Sequence, residues 1–498
     1  MMPRLKLARN ARPGRPLWPP FEERQWPPLY LGRQRYGKLV ILLDDDVLDD
    51  AALTAWGKEY LLAGLLTLDV IECTRYSDAG PPAAAVRRQD QYMGGSVPGW
   101  AVLGPDDGSG YRSARTATEH QITDHAVFGN APDVAEHDTR TGAYGDRDPT
   151  AAAVQRRADA LAAMVAHSIG ADLFITNRSY LHAMSWSPAD GMTIVGIDDA
   201  LAAIGLYLRA QDQYVTSRSP QGRGTHTMNR GLFFWVGARE LLPSAWRWFA
   251  ACVQHSTGGG GDNLLYLGVS VLQRVERALQ IRDGLHVALN RPQNNDTANE
   301  ALSSLDVILL LLMGAVDATA RVAHAVLGLT GAAYLAAWQR QAWLADVTAA
   351  APTLGALMQA GTGERHAHTI LRLLRNSVHG EAMQALSVGQ GRRRDRTLVG
   401  LPFADEAELR VAFTALGGLA AWGVEDLIPG RLHVDPGVLL EQLLPRVLAM
   451  LNCIMDETPV ETLAHVALQS NDSLPPVGPQ AGPFDELNRQ SIRWQLGL

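Results

Sequence analysis

Residues 38–46 read KLVILLDDD, a short apolar run that stops abruptly at three consecutive acids. A run of this length and type is the pattern of a strand buried in the middle of a sheet. Its acids then stand at the strand's C-terminal end, where open α/β sheets place their ligands. The same alternation continues along the chain. A helical pattern covers residues 51–66, and residues 69–74 form a second strand candidate. After a helical stretch at 151–168 come ADLFIT at 171–176 and MTIVGI at 192–197, the latter leading into another helix. Strands and helices in this order predict a parallel α/β sheet over residues 37–215.

The rest of the chain divides by texture. Pro13, Pro16, Pro19 and Pro20 block helix in an irregular, Pro- and Arg-rich arm over residues 1–36. Residues 79–150 are rich in Gly, Pro, Asp and Ser and read as a long insertion or flexible loop in the α/β domain. Residues 216–262 read as a linker or cover around Phe233, Phe234 and Trp235. Residues 263–470 carry an Ala- and Leu-rich helical pattern, which predicts an all-α bundle. Residues 471–498 are Pro- and Gly-rich and are expected to be a mobile tail.

Charge and cysteine usage narrow the class. With 44 basic against 52 acidic residues the net charge is −8, which excludes an overall basic coat but leaves room for local basic strips. Cys73, Cys252 and Cys453 are far apart and odd in number, so neither a disulfide framework nor a CxxC metal site is expected. That usage suits a reducing cytoplasm. The apolar run at 307–316 ends at Asp317, and residues 1–35 lack an apolar stretch, so neither a membrane span nor a secretory signal is expected.

Asp44, Asp45 and Asp46 are the first candidate site. Three adjacent carboxylates repel one another, and hard oxygen donors suit Mg²⁺ or Mn²⁺. Helix capping by Asp49 and Asp50 competes with this reading but accounts for only some of the five acids. Two enzyme patterns fit poorly. Aligning Asp49–Asp50 with the nucleoside hydrolase motif places Leu43 where its first acid belongs. The D-x-D of haloacid-dehalogenase-type phosphatases is met by Asp44 and Asp46, but no downstream Lys and acid pair follows. A second segment, DALAAMVAHSIGADLFITN at 159–177, puts Asp159 on a helix, turns at Gly170 and enters a strand. Together with DDDVL at 44–48, it resembles the acid motifs of PIN-like nuclease domains. The resemblance implies that Asp44 and Asp159 bind metal, with Glu72, Asp78 or Glu136 as the second acid of the set. Where that family often carries a fourth acid, this chain has Asn177 and Arg178.

In the helical half, residues 370–386 read ILRLLRNSVHGEAMQAL. Ile370, Leu371, Leu374 and Val378 make an apolar face, beside which His368, Arg372, Arg375 and His379 fall on one stripe. Two arginines can hold phosphate bidentately, and a histidine can transfer a proton near neutral pH. The stretch resembles the R-N-x-x-x-H element of HEPN domains, although Arg375 and His379 stand closer together than is usual there. The preceding LDVILLLLMGAVDATARVAH is similar to that fold's first long helix. The resemblance implies Arg375 and His379 as catalytic residues, with Arg372 and Asn376 binding RNA. GRRRDR at 391–396 is either a backbone-tracking strip or a charged loop. His120, His125 and His137 are weak metal candidates, and STGGGGDN lacks the GK[ST] of a phosphate loop.

Two resemblances to RNA-acting families in one chain lead to one expectation. The protein reads as a metal-dependent endoribonuclease of toxin or phage-defence type, with Asp44 and Asp159 holding Mg²⁺ or Mn²⁺ to activate water. The alternative is a non-catalytic RNA-binding or oligomerising regulator with degenerate sites. Partners expected with either are RNA, a second copy joined through residues 300–390 so that two Arg375–His379 pairs face one cleft, and an inhibitory protein.

Overall fold

The computed structural model describes residues 37–48, 52–80, 99–105, 111–117, 122–140, 142–145, 147–183, 192–378, 380–390, 393–428, 430–478 and 481–498. The expected arm therefore lies outside the described residues. Residues Lys38–Leu498 form one compact unit.

The α/β part runs β1 (Leu39–Asp44), α1 (Lys58–Leu65), β2 (Ile71–Tyr76), β3 (Gly99–Leu103), β4 (Tyr111–Ala117) and β5 (Ile122–Phe128). It continues with α2 (Ala131–His137), α3 (Pro149–Ser168), β6 (Leu173–Ile175), α4 (Ser179–Ala183), β7 (Thr193–Val195) and α5 (Ile197–Ala210). Seven strands form one sheet in the order β5-β4-β3-β2-β1-β6-β7. Strands β3, β2, β1, β6 and β7 pair parallel with one another, whereas β4 pairs antiparallel with both β3 and β5. The sheet is thus mixed, not purely parallel. The difference comes from residues 79–150: the expected loop contributes β3, β4, β5 and α2 to the sheet's edge.

Strand β1 is central and buried on both faces, which is why its sequence is unbroken by polar residues. Leu39, Ile41 and Leu43 point to one side, where they pack with Leu61 and Leu65 of α1 and Ile204 and Leu208 of α5. Leu42 points to the other, against Phe174 and the alanine-rich face of α3, where Ala160, Ala163 and Ala166 are buried. Small side chains let α3 approach the sheet closely.

A hairpin of β8 (Val215–Arg218) and β9 (Thr225–Thr227) leads into α6 (Arg230–Leu241) and α7 (Ala245–His255). Residues 216–262 are therefore part of the packed structure, with Phe233, Phe234 and Trp248 in the main core. Two long helices follow, α8 (Asn263–Asn290) and α9 (Asn295–Val326), then α10 (Gln341–Ala350), α11 (Pro352–Leu357) and α12 (Gly363–Asn376). Asn294 caps α9 in a reciprocal capping box with Thr297.

The helical half also holds a second sheet that periodicity missed. Strands β10 (Gln384–Gln390), β11 (Arg393–Gly400), β12 (Val424–Ile428) and β13 (Arg431–Val434) pair antiparallel in the order β10-β11-β13-β12. Helix α13 (Glu406–Ala415) lies between β11 and β12 in the chain, and α14 (Pro436–Glu457) follows β13.

The chain ends in α15 (Glu486–Leu496), not in a mobile tail. Ile492 and Leu496 are buried, and Gln495 donates from Nε2 to the Val215 carbonyl at 2.9 Å. Arg209 of α5 donates to the Gln495 carbonyl at 3.0 Å, and Arg282 of α8 to that of Leu496 at 2.7 Å. This last helix thereby fastens the α/β part to the helical part.

Helices α9 and α14 are long and apolar enough to span a bilayer by length and composition. In the structure, 50% and 56% of their most apolar windows are buried inside the protein, the condition of core helices.

Candidate functional site

Strand β1 delivers Asp44 to the C-terminal edge of the sheet, opposite Tyr76 of β2. Helix α3 presents Asp159 inward from the next layer, fully buried. The two carboxylates converge, and what joins them is a side chain. Arg178, just beyond β6, extends its guanidinium between them. Its Nε donates to Asp44 Oδ2 at 2.5 Å and its Nη2 to Asp44 Oδ1 at 3.1 Å. Nη1 donates to Asp159 Oδ1 and to Asp78 Oδ2, both at 3.1 Å. The side chains of Arg178, Asp44 and Asp159 are 8%, 3% and 0% exposed.

Further donors bond the same two carboxylates. Thr176 Oγ1 donates to Asp44 Oδ2 at 2.7 Å. Asp159 accepts from Tyr144 Oη at 2.5 Å on Oδ2 and from Gln155 Nε2 at 3.0 Å on Oδ1. The guanidinium also lies 5.6 Å from the centre of the Tyr76 ring. Burial works against the Arg178 charge, yet its hydrogen bonds to Asp44 and the charges of Asp44 and Asp78 hold its pKa above the usual value. Burial pushes the Asp46 carboxyl up, reinforced by the charge of Asp44 and opposed by that of Arg178. Burial and the hydrogen bond to Asp159 likewise raise the Tyr144 phenol.

The donor set decides whether this pocket suits a divalent ion. Mg²⁺ needs near-octahedral oxygen ligands with free lone pairs at about 2.1 Å. Each oxygen of Asp44 and Asp159 already accepts from a protein donor, and a fixed positive charge stands between them. Among the described residues, no group of three or more His, Cys, Asp or Glu is placed to hold a metal. With Arg178 seated, the residues present do not fit Mg²⁺ or Mn²⁺.

The other acids of the sequence pattern disperse. Asp45 pairs with Arg75, and Glu136 with Arg157. Glu72 is exposed on β2, while Asp49 and Asp50 lie outside the described residues. Of the three candidates for the second acid, only Asp78 reaches the pocket. His125 contacts Thr116 at 3.1 Å, His137 contacts the Asp133 carbonyl at 2.8 Å, and His120 lies outside the described residues.

The expected basic stripe on α12 separates in the same way. His368 is buried in the core with neither ring nitrogen hydrogen-bonded. Burial, with the charges of Arg365 and Arg372, pushes its pKa down to about 3. It therefore belongs with the apolar face. Arg372 donates to Glu408 of α13 at 2.8 Å. Asn376 is exposed at the end of the helix, where its Oδ1 accepts from Arg375 Nη1 at 3.3 Å. His379 lies outside the described residues. The charge of Arg375 instead acts on a residue that periodicity did not mark, Asp317 of α9, as do those of Arg321 of α9 and Arg274 of α8. No single-helix pattern could have found these, because the helices meet only in the fold.

Comparison with protein-family models, curated proteins and solved structures finds no match to this chain.

Proposed function

We propose that this protein is a non-catalytic RNA-binding regulator whose nuclease-like acidic pocket is held shut by its own arginine. The observation that carries this reading is the Arg178 guanidinium bonded to both Asp44 and Asp159. A bidentate guanidinium supplies the charge compensation that a cation would otherwise bring to clustered carboxylates. Its removal from the pocket would strand two buried anions, so exchange for a hydrated ion is opposed by desolvation as well as by lost hydrogen bonds. The resemblance to RNA-acting families supplies the ligand class, and the local arginines of an otherwise acidic chain are consistent with it.

The test is incubation of the whole chain with labelled RNA in Mg²⁺ or Mn²⁺, scored for both retention and cleavage. Binding without cleavage is expected, together with no Mn²⁺ uptake by calorimetry. Cleavage that requires Mn²⁺ and disappears in Asp44→Asn would overturn the proposal in favour of a working nuclease.

A further inference from the structure

Helices α8 and α9 pack along their lengths, and α12 packs against α9. Arg274 lies across α9 because Gly314 has no side chain: a Cβ there would stand 2.8 Å from Arg274 Nε. Its guanidinium is further held by a hydrogen bond to Ser270. Arg321 and Arg277 add their charges beside Arg274. Around half-buried Asp317 the positive charges of Arg375, Arg321 and Arg274 converge. Burial raises the Asp317 pKa, and those three arginines oppose the rise.

Several arginines of the helical half meet a carboxylate: Arg282 with Glu441, Arg291 with Glu300, Arg372 with Glu408 and Arg396 with Glu425. Arg274, Arg277, Arg321 and Arg375 form no ion pair with any described residue. Arg375 Nε is buried and has no hydrogen-bond partner. Three guanidiniums around one carboxylate, with Arg277 beside one of them, repel one another, and an anion with several acceptor oxygens would relieve both the repulsion and the unpartnered Arg375 Nε. Phosphate matches guanidinium geometry in a way that chloride does not. Asp317 sets a limit, since it repels an anion unless it is protonated or held by the arginines.

We infer that Arg274, Arg277, Arg321 and Arg375 form a phosphate-binding face between α8, α9 and the end of α12, with the phosphodiester backbone of RNA as its ligand. The RNA assignment rests on the function proposed above, whereas the phosphate site stands on the cluster itself.

The experiment compares wild type with Arg274→Gln/Arg321→Gln and, as a surface control, Arg410→Gln. Fluorescence anisotropy with a labelled single-stranded RNA is read across a salt series. Two lost phosphate contacts should weaken binding about tenfold and lower the slope of log K against log salt by about 1.4. The control should bind as wild type does. Equal affinity and slope in the double variant would overturn the site while leaving the RNA reading intact. If wild type does not bind RNA, the RNA reading fails and tripolyphosphate decides the site by thermal shift. Stabilisation of wild type but not of the double variant supports the phosphate face, and no difference between them refutes it. Matching circular dichroism spectra check that the double variant folds.

Discussion

The Arg178 guanidinium grips both carboxylate oxygens of Asp44, Nε on Oδ2 at 2.5 Å and Nη2 on Oδ1 at 3.1 Å. The two residues are 134 positions apart in sequence and both are buried. That one pair converts the end of β1 from an open acidic edge into a neutralised, hydrogen-bonded plug. The same guanidinium reaches Asp159, so three elements of the α/β part close on one cation.

Removing that cation should be costly. Arg178→Met leaves Asp44 and Asp159 buried without a counter-charge, a defect of about 3–5 kcal/mol. The unpaired carboxyls would then have folded pKa values raised above their unfolded ones. Such groups favour folding below the unfolded pKa, and that contribution disappears as pH rises through the folded pKa. Denaturant titrations should therefore show Arg178→Met regaining stability as pH falls from 7 to 5. The double variant Arg178→Met/Asp44→Asn should be more stable at pH 7 than Arg178→Met alone. If the two are equally unstable, the ion pair is not what the pocket depends on.

His368 sets a second pH dependence. Its folded pKa is pushed down to about 3, from an ordinary value of 6.5. Between those values the unfolded chain takes up a proton that the folded core refuses. Stability therefore falls with falling pH below 6.5, by up to about 1.4 kcal/mol per pH unit. His368→Leu removes this liability along with two buried, unpaired ring nitrogens. It should melt at or above the wild-type temperature at pH 7.5, and its advantage should widen at pH 5. Parallel melting curves at both pH values would show that a neutral buried histidine is not the cause.

Arg239 presents a cation held by rings instead of acids. Its guanidinium carbon lies 5.0, 4.7, 4.8 and 5.6 Å from the ring centres of Trp235, Trp246, Phe249 and Phe484. Burial lowers its pKa. A planar guanidinium can stack on several faces at once, which an ammonium cannot. Arg239→Lys should cost about 1–2 kcal/mol in urea unfolding, more than Arg239→Met, which keeps the packing and drops the charge. A lysine variant as stable as wild type would show that the stacking contributes nothing.

What the sequence disclosed follows from where polar residues stood. Strand β1 was legible because burial on both faces leaves no room for polar side chains, and Asp44 followed as its last residue. Strands β4 and β5 were not legible. Arg115 and Asp124 pair across their exposed face, while small Ala114 and Val127 supply the buried side, so the apolar signal is faint. Helix α15 hid for a related reason: Ser491 and Gln495 are buried through hydrogen bonds, which mimic a polar surface in one dimension. Asp44 and Asp159 both bond the Arg178 guanidinium, and spacing could not reveal that this side chain folds back between them. The stripe on α12 failed at His368 because helical spacing places a residue on a face without stating which side that face buries.

The joint made by α15 offers the sharpest structural test. Ile492 and Leu496 are buried side chains, each worth about 1.5–3 kcal/mol of burial. Its backbone carbonyls accept from Arg209 and Arg282, so removing residues 485–498 also strands those two buried donors. Such losses together approach the 5–15 kcal/mol of a typical domain, and the truncated chain should be largely unfolded or aggregated at 37 °C. Truncation alone does not separate lost contacts from a shortened chain, and Gly205 does. A Cβ there would stand 2.8 Å from Gln495 Cβ, so Gly205→Val should force α15 off α5 and cost about 1–3 kcal/mol by overpacking. Gly284 has nothing within 4 Å of its Cβ position, so Gly284→Ala on α8 is the control, expected to be neutral or stabilising. Thermal melts in which Gly205→Val unfolds at the same temperature as Gly284→Ala would mean that the last helix does not hold the two parts together.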